Sequence, residues 1–534
     1  MAADAIRLSH VRSAQGRCSL NGAESLVRSL VESGVDVCFA NPGTSEMHFV
    51  AALDTVPGMR AVLVLQENVA TGAADGYARM TGRPASTLLH LGPGLANGLA
   101  NLHNARRAGS SVVNIVGDHA STHLAFDAPL TSDVAGFARP VSAWVHSSPS
   151  ARDVGADAAR AVRAALEPPG AIATLILPAD TAWQEAESAA PRLAAPALAA
   201  VGEKTVTEIA RAIRTGRKTA LLMRGTVLCD DGLEAAGKIA AATGVRLMCD
   251  TLTPRMQRGA GRPHVERLPY FSEQVTEVLS EVELIILVGA KPPVSFFGYP
   301  DKASWLTPPG CRIATLARAH EDGVGALHAL AAALGASAAE PKRVERAQPD
   351  YSLRGTLTPD FIMSVVARHL PENAIIADES LTSGLPYYEM TAGAAAHDFL
   401  NVTGGAIGCM MAVSVGAAIA CPDRKVVTLQ GDGSAMYILP SLWTQAREAL
   451  DVTTVIYANR AYKILNTELA RVGAASGGRN AASLLDLTNP TIDWVSLAHG
   501  LGVSAVRAET REEFERAFLQ AMATKGPHLV EAVL

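Results

Sequence analysis

The sequence is poor in charged and aromatic residues and has no strong bias toward either charge. Charged residues occupy 18% of the 534 positions and aromatic residues 5%. The 46 basic and 52 acidic residues leave a net charge of −6, without a long block of one sign. Proteins that bind nucleic acid carry a basic surface, so nucleic acid is not an expected partner. The hydrophobic fraction of 49% excludes a chain that is disordered throughout, because disorder requires low hydrophobicity.

Long apolar runs and paired cysteines are also missing. No apolar run reaches the roughly 18 residues that a membrane-spanning helix needs, so we expect no membrane partner. The seven cysteines include no CxxC pair, which favours free thiols in a reducing compartment over disulfides or a zinc site. Residues 1–17 contain three arginines but lack the apolar stretch of a secretory signal. We therefore expect a cytoplasmic protein with a disordered tail at 1–17, the alternative for that tail being an Arg-rich organellar address.

Short β-branched runs alternate with longer Ala-rich segments, which predicts an α/β protein. The runs are apolar throughout instead of alternating, which is typical of strands buried on both faces of parallel sheets. The predicted strands are 36–40, 61–65, 87–90, 111–116, 173–177, 219–223, 245–249, 284–288, 312–316, 374–377, 425–429, 452–458 and 528–533.

Two stretches without periodicity divide the chain into three parts. Residues 186–203 and 336–355 are rich in Ala and Pro or in charge, as linkers are. We predict three doubly wound α/β domains with mainly parallel sheets, at residues 18–185, 200–335 and 356–534. Ligands of such sheets bind outside the carboxyl ends of the strands, so functional residues are expected there.

One motif in the last third combines a tight turn with metal-binding groups. The turn GDGS (431–434) follows the predicted strand 425–429, and Asn459 ends the next strand 27 residues after Asp432. Glycines let a backbone approach a ligand closely, and carboxylate and carbonyl oxygens suit Mg²⁺. Adjacent strands would bring Asp432 and Asn459 together, and the carbonyl of Ala461 could complete the set. An Asp-Gly turn after a strand is common, so this motif alone decides no function.

Other strand ends carry residues that are ambiguous when taken singly. Glu67 begins a segment rich in small residues, where a carboxylate is usually a favourable surface choice. Its crowded apolar surroundings instead favour a buried carboxylate with a partner, and a helix that packs very closely on another element. His90, in HLGPG (90–94), is by itself more typical of a satisfied core residue than of a catalyst. The turn NPGT (41–44) offers a hydroxyl, and GGAIG (404–408) exposes backbone carbonyls.

Together and in this order, these motifs resemble thiamine diphosphate (ThDP) enzymes of the acetohydroxyacid synthase and benzoylformate decarboxylase type. The resemblance covers residues 20–534. Besides GDG with its distant Asn and the helix that follows Glu67, it includes the segments 41–46, 90–94, 117–120, 139–141 and 404–408. It implies a pyrimidine-binding domain, a central domain and a diphosphate-binding domain, in this order along the chain. It also implies that ThDP lies between the first domain of one subunit and the third domain of its partner, so a homodimer is the minimum and a homotetramer the expected assembly.

The resemblance implies ThDP and Mg²⁺ as cofactors and assigns residues to them. Asp432, Asn459 and the Ala461 carbonyl would hold Mg²⁺. The other cofactor-binding residues are expected to be Thr382, Gly431, Gly433, Ser434 and Tyr437 at the diphosphate, with Asn97, Gly405 and Ile407 elsewhere on the cofactor. Ile407 would be the wedge that bends the cofactor, the Gly405 carbonyl would accept from its 4′-amino group, and Glu67 would be the catalytic carboxylate at its pyrimidine nitrogen.

The resemblance leaves the reaction on 2-keto acids open, beyond a shared C2 carbanion–enamine intermediate. His90 matches a catalytic histidine of benzoylformate decarboxylase, and Thr44 matches its carboxylate-contacting serine. Phe297 stands where that decarboxylase has a second histidine, which would slow protonation and let the enamine attack a second carbonyl. We therefore expect a carboligase of acetolactate-synthase type, with Leu465 and Glu468 also lining the substrate pocket.

Three alternatives remain at this point. The first is a 2-keto acid decarboxylase that releases an aldehyde, and the second, more remote, is a non-catalytic ThDP-binding protein. The third concerns a further cofactor, because some family members carry FAD in the central domain. Residues 200–335 contain no GxGxxG, so FAD is not favoured. The expected partners are small 2-keto acids or aldehydes and further copies of the chain.

Overall fold

The computed structural model describes residues 20–474 and 478–534. The tail predicted at residues 1–17 lies outside this range. No helix of the described residues is long and apolar enough to cross a membrane. The six cysteines from Cys38 onward, all within the described part, are free thiols.

The first part of the chain forms a six-stranded parallel sheet covered by helices. Its strands are β1 (Leu20–Asn21), β2 (Val37–Asn41), β3 (Arg60–Leu63), β4 (Ala85–Leu89), β5 (Val112–Asp118), β6 (Trp144–Ser147), β7 (Ile172–Pro178) and β8 (Glu185–Ala186). Its helices are α1 (Gly22–Glu32), α2 (Met47–Thr55), α3 (Glu67–Thr81), α4 (Leu91–Ala108), α5 (Val134–Ala138), α6 (Val154–Ala165) and α7 (Ala179–Trp183). The order in the sheet is β3-β2-β4-β5-β7-β6, and β1 pairs separately with β8.

The middle part contains a smaller parallel sheet. Its helices are α8 (Glu203–Ile213), α9 (Asp230–Thr243), α10 (Ser272–Leu279) and α11 (Gly323–Leu334). Its strands are β9 (Thr219–Met223), β10 (Arg246–Cys249), β11 (Met256–Arg258), β12 (Glu266–Arg267), β13 (Leu284–Val288) and β14 (Arg312–Ala317). Five of them form the sheet, in the order β12-β10-β9-β13-β14.

The last part contains the largest sheet. Its strands are β15 (Ala374–Glu379), β16 (His397–Asn401), β17 (Val426–Gly431), β18 (Val452–Ala458), β19 (Ser504–Ala508) and β20 (His528–Val533). Its helices are α12 (Pro359–His369), α13 (Tyr387–Met390), α14 (Met410–Ala420), α15 (Asp432–Ala435), α16 (Ser441–Arg447), α17 (Lys463–Arg471), α18 (Arg479–Ser483), α19 (Trp494–Gly500) and α20 (Arg511–Ala523). The order is β11-β16-β15-β17-β18-β20-β19, in which β11 alone runs antiparallel.

The predicted class, α/β with three mainly parallel doubly wound sheets, is confirmed. One strand departs from the predicted division into three domains: β11 lies within residues 200–335 but pairs with β16 at the edge of the third sheet. Edge strands expose unpaired backbone groups, and β11 covers those of β16. The domain limits themselves stay a prediction.

Helix α3 packs against α14 at very close range, as its small residues predict. A Cβ placed on Gly76 would collide with the carbonyl of Val413, and one placed on Gly416 would collide with the carbonyl of Ala73. Only glycine permits such backbone contact. The two helices therefore join the first and third sheets in one apolar core, and the start of each helix is held close to the edge where its sheet's strands end.

Candidate active site

Glu67 stands at the start of α3, and two amides fix its carboxylate. The Nδ2 atom of Asn41 donates to Oε1 at 3.0 Å, and the Nδ2 atom of Asn97 donates to Oε2 at 3.0 Å. The side chain of Gln66 caps the helix by accepting from the backbone N–H groups of residues 68 and 69. Glu67 is 7% exposed, so the expectation of a buried, partnered carboxylate is confirmed. Asn97 was predicted at the cofactor, whereas Asn41 was not.

His90 forms the one-residue connection between β4 and α4. The next residue, Leu91, has φ of +49°, a strained conformation for a leucine that lets the helix begin directly at the strand end. The buried carboxylate of Glu46 contacts the histidine, with Oε2 2.8 Å from Nδ1. The same oxygen accepts from the backbone N–H of Gly43 at 2.7 Å. The sequence did not point to Glu46 as a functional residue.

Glu46 is completely buried although one of its two carboxylate oxygens, Oε1, has no hydrogen-bond partner in the described part of the chain. A Cβ on Gly117 would overlap that atom, so only glycine can occupy this position, at the start of segment 117–120. Burial raises the pKa of Glu46, while the Gly43 N–H and His90 act to lower it. A buried carboxylate held in this way orients its histidine partner.

Thr44 lies two residues before Glu46 in the chain, and its predicted role at the substrate carboxylate stays a prediction. It begins the short helical turn Thr44–Glu46 and is exposed. Gly43, its neighbour, lies so close to the His90 ring that a side chain there would overlap it. The carboxyl ends of β2, β3 and β4 are adjacent in the sheet, which is why Asn41, Glu67 and His90 meet at one edge.

The third sheet brings the predicted metal ligands together at its own carboxyl edge. Gly431 on β17 pairs with Tyr457 on β18, so Asp432 and Asn459 follow neighbouring strand ends. Asp432 accepts from the backbone N–H of Arg460 at 2.6 Å and from that of Gly433 at 2.8 Å. Asn459 accepts from the N–H of Ala461 at 3.0 Å.

This donor set fits a hard divalent cation. Burial raises the pKa of Asp432, and no cationic side chain of the described residues forms an ion pair with it. Residues 460 and 462 bond to the segment 485–487, so the carbonyl of Ala461 points away from that segment. A carboxylate, an amide oxygen and a main-chain carbonyl are ligands that Mg²⁺ accepts.

The residues predicted at the diphosphate surround the same strand ends. Thr382 belongs to the helical turn Leu381–Gly384 after β15, and β15 pairs with β17 up to Gln430. Ser434 is buried and donates to the carbonyl of Gly431 at 3.0 Å. A Cβ on Gly433 would lie 2.5 Å from the Tyr462 ring. The predicted residues thus lie around the start of α15, and free N–H groups at a helix start are suited to an anion.

The loop 404–408 reaches the same site. Gly408, which has φ of +83°, lies against Tyr437, so that a Cβ there would overlap the tyrosine. Gly405 is exposed and has φ of +76°, and Ile407 is half-buried. The carboxylate of Glu379 accepts from the backbone N–H groups of residues 408, 409 and 410 at 2.5, 2.9 and 2.8 Å. Glu379 is a second functional candidate that the sequence did not suggest.

Aromatic side chains from the middle part cover this loop. The ring of Phe296 lies 3.6 Å from the position of a Cβ on Gly405, whereas Phe297 is its more exposed neighbour, with ring centroids 6.2 Å apart. The hydroxyl of Tyr299 donates to Glu468 at 2.6 Å. Leu465, one turn earlier on α17, is exposed. The structure thus places Phe296, which was not predicted, nearer to Gly405 than the predicted Phe297.

Comparisons with known proteins agree with this arrangement. The family model described as "Thiamine pyrophosphate enzyme, N-terminal TPP binding domain" matches residues 20–135, and the one described as "Thiamine pyrophosphate enzyme, C-terminal TPP binding domain" matches residues 384–532. The chain is 52% identical over 518 residues to the "Putative acetolactate synthase large subunit IlvX" of Mycobacterium tuberculosis, covering 96% of this chain and 99% of that one.

More distant relatives share the full length. Benzoylformate decarboxylase of Pseudomonas aeruginosa is 28% identical over 525 residues, covering 93% of this chain and 96% of its own. The solved structure of a thiamine diphosphate-dependent 4-hydroxybenzoylformate decarboxylase of Rhodococcus jostii has the same fold, with a TM-score of 0.82, 24% identity and coverage of 96% and 98%. The chain therefore belongs to the family of thiamine pyrophosphate-dependent enzymes, and is related to acetolactate synthase and benzoylformate decarboxylase.

Proposed function

We propose that this enzyme is a Mg²⁺-dependent carboligase that uses ThDP to join a 2-keto acid to a second carbonyl compound, in the manner of acetolactate synthase. The observation that carries the proposal is the loop beside Gly405, which presents phenylalanine side chains at positions 296 and 297 and so offers no proton donor at either position. The relative named as an acetolactate synthase, 52% identical over nearly the whole chain, supports the same assignment.

Asp432, Asn459 and the Ala461 carbonyl would hold Mg²⁺, with the diphosphate on the backbone of Gly431–Ser434. Bound ThDP supplies the electron sink that decarboxylation of a 2-keto acid requires. Glu67 would hold the pyrimidine nitrogen of the cofactor. Because Asn41 and Asn97 each donate to one of its oxygens, the carboxylate is held in one orientation for that contact.

His90 would exchange protons with the substrate through Nε2. Glu46 engages Nδ1, which would hold the proton of the neutral ring on that nitrogen and leave the other nitrogen for the substrate. Thr44, exposed beside the ring, would contact the substrate carboxylate. A general acid–base group of this kind contributes a factor of about 10² to 10⁴ in rate.

The choice between carboligation and protonation depends on how quickly a second acid delivers a proton. The loop that contains Phe296 and Phe297 presents aromatic side chains. The hydroxyl of Ser295 in that loop donates a hydrogen bond to the carbonyl of Phe297 at 2.7 Å. A phenylalanine side chain cannot transfer a proton, so the activated acyl unit would persist long enough to meet another carbonyl. The alternative, a decarboxylase of aryl 2-keto acids, is favoured by the aromatic contact between Tyr270 and Phe296, whose tilted rings have centroids 4.9 Å apart.

We further propose that the enzyme works as a cytoplasmic homodimer, or as a homotetramer built from such dimers. Large apolar side chains are exposed around both halves of the site. They are Met47, Leu65, Leu124 and Phe126 in the first part, and Leu385, Met436, Tyr437 and Leu465 in the last part. Exposed apolar clusters of this kind mark interaction surfaces. Free thiols at buried cysteines support a reducing compartment.

Product identification by NMR tests the reaction. Purified protein receives ThDP, Mg²⁺ and either pyruvate or benzoylformate, and a sample of the Glu67→Gln variant serves as the control. Acetolactate from pyruvate would establish the carboligase. Acetaldehyde or benzaldehyde as the sole product would replace it by the decarboxylase, and turnover of the variant equal to that of the wild type would contradict the role of Glu67.

A further inference from the structure

Helix α4 holds the loop 404–408 by its backbone. Asn104 makes a two-point contact with Ala406: its Nδ2 donates to the carbonyl at 2.8 Å, and its Oδ1 accepts from the N–H at 3.2 Å. His103 contacts the carbonyl of Gly404 through Nε2 at 3.1 Å. Asn101 donates to the carbonyl of Gly408 at 3.1 Å. One face of a single helix thus bonds to every second residue of the loop.

The two loop residues that α4 leaves out are the ones assigned to the cofactor. The carbonyls of Gly405 and Ile407 have no hydrogen-bond partner within residues 20–474 and 478–534. Gly405 is exposed, while Asn101 and Asn104 are completely buried. The helix therefore fixes the buried side of the loop and leaves the other side available to a ligand.

The loop cannot slide along the helix. A Cβ on Gly404 would lie 2.5 Å from Oδ1 of Asn104 and 2.6 Å from the His103 ring, so the backbone is seated directly on these side chains. The end of the loop is held separately, by Glu379 on three consecutive N–H groups. Between these two anchors, Asn104 is the group that sets the peptide planes on either side of Ala406.

The same helix connects the loop with the catalytic carboxylate. Asn97, which bonds to Glu67, stands one turn before Asn101 on α4. Asn101 donates to the carbonyl of Asn68 at 2.9 Å as well as to that of Gly408. Helix α4 therefore bonds both to the start of α3 and to the loop 404–408 of the same chain.

We propose that Asn104 is a positioning residue that aims the Gly405 carbonyl and the Ile407 side chain at the pyrimidine half of the cofactor. The inference rests on the proposed function, because it takes ThDP as the ligand. An amide matches a peptide group at both its donor and its acceptor, and aspartate cannot donate to the Ala406 carbonyl. Since the diphosphate half binds to other residues, losing Asn104 affects one half of the ligand only.

Comparing the binding of two ligands distinguishes an effect on the pyrimidine half of the cofactor from an effect on its diphosphate half. We measure binding of ThDP and of inorganic pyrophosphate, each with Mg²⁺, to wild type, Asn104→Asp and a control, Asn114→Asp. Asn114 is equally buried, in strand β5 of the first sheet, and within the described part of the chain its amide bonds to Thr87 and Thr174 alone. The near-ultraviolet circular dichroism of the bound cofactor reports on the seating of the pyrimidine ring, and melting of the apoprotein reports on folding.

For Asn104→Asp we expect the Kd of ThDP to rise about tenfold, the equivalent of one or two lost hydrogen bonds. The Kd of pyrophosphate should stay unchanged, and the circular-dichroism signal of bound ThDP should diminish. Asn114→Asp should bind both ligands as the wild type does, even where its melting temperature falls. Gly404→Ala, which presses on Asn104 from the loop side, should reproduce the same selective loss and serves if the aspartate variant fails to fold.

Equal weakening of ThDP and pyrophosphate would show that Asn104 only stabilises the fold, and would overturn the inference. Unchanged ThDP affinity in both Asn104→Asp and Gly404→Ala would overturn it as well. In either case wild-type binding of ThDP leaves the proposed function standing. Failure of the wild type itself to bind ThDP would overturn both together.

Discussion

Glu46 and His90 form a pair in which a fully buried carboxylate oxygen lies 2.8 Å from Nδ1 of a partly exposed imidazole. They come from the ends of neighbouring strands, β2 and β4, and Gly43 and Gly117 leave room for the pair by lacking side chains. A histidine held at one nitrogen presents the other in a fixed direction. This pair, more than the histidine alone, is what gives the strand edge its acid–base capacity.

Replacing Glu46 by glutamine should therefore lower kcat without weakening ThDP binding. In glutamine only Oε1 can accept a hydrogen bond from Nδ1, whereas either oxygen of glutamate can. The neutral amide also stabilises a charged imidazole less than a carboxylate does. We expect a loss of about tenfold to a hundredfold, at or below the lower end of the contribution of about 10² to 10⁴ from a general acid–base group, because the histidine itself remains. Steady-state kinetics across pH, with ThDP affinity measured in parallel, check this. A normal pH profile would mean that His90 needs no orientation by Glu46.

The same variant should be more stable than the wild type as pH rises. Burial raises the folded-state pKa of Glu46 above its unfolded value, so its contribution to stability is present at low pH and is lost as pH increases through the folded pKa. Glutamine does not titrate. The difference in melting temperature between variant and wild type should therefore grow from acid to neutral pH, and a constant difference would contradict the ionisation of Glu46.

Much of this fold follows from the sequence because buried parallel strands have a strong apolar signature. The runs 219–223, 284–288 and 452–458 coincide with strands of the structure. Strands that carry polar residues gave no such signal, as at Trp144–Ser147 and His397–Asn401. There the neighbouring strands supply the apolar contacts and the backbone pairing, which no local pattern records.

The residues of the site likewise divide into those that local sequence motifs reveal and those that only tertiary contacts reveal. Glu67, His90, Asp432 and Asn459 stand at ends of predicted strands within short motifs. Glu379 reaches its partners at 408–410 across some 30 positions of sequence, and Asn104 reaches Ala406 across about 300. Such contacts depend on how the helices α3, α4 and α14 pack, so a single sequence offers no spacing from which to infer them.

Glu379 gives a prediction about pH and stability. It is buried at the start of α14, and this burial raises its pKa from 4.5 to about 7 against the opposing effect of three N–H groups. The folded pKa is the higher one, so the contribution to stability is complete below pH 4.5 and is lost as pH rises through 7.

The matched variant for this test is Glu379→Gln, which does not titrate. Relative to it, apo wild type should lose on the order of 3 kcal/mol between pH 5 and pH 8, from the pKa shift. Melting curves of both proteins in one set of buffers measure the difference, so titration of all other groups cancels. Parallel curves for the two proteins at every pH would exclude Glu379 as the titrating group.

The composition of the site can be tested by mixing subunits. Glu67→Gln disables the first part of the chain and Asp432→Ala disables the last part, and each variant alone should lose nearly all activity. If ThDP binds between the first part of one subunit and the last part of its partner, a mixed dimer contains one doubly altered site and one intact site. Random mixing makes half of the dimers mixed, so about a quarter of wild-type activity should return.

If instead each site is formed within one chain, every site in the mixture carries one of the two substitutions and no activity returns. Both mixtures are made by co-expressing two differently tagged chains, and recovery of doubly tagged protein shows that mixed dimers have formed. The second mixture pairs the double variant Glu67→Gln/Asp432→Ala with wild type. When sites are shared between subunits, its mixed dimers have no intact site, so activity should fall to about a quarter; when sites lie within one chain, the wild-type chains keep theirs and half remains. Shared sites thus give about a quarter of wild-type activity in both mixtures, whereas sites within one chain give none in the first and half in the second. Together the two mixtures decide whether the exposed apolar residues around Met47 and Met436 surround one shared site.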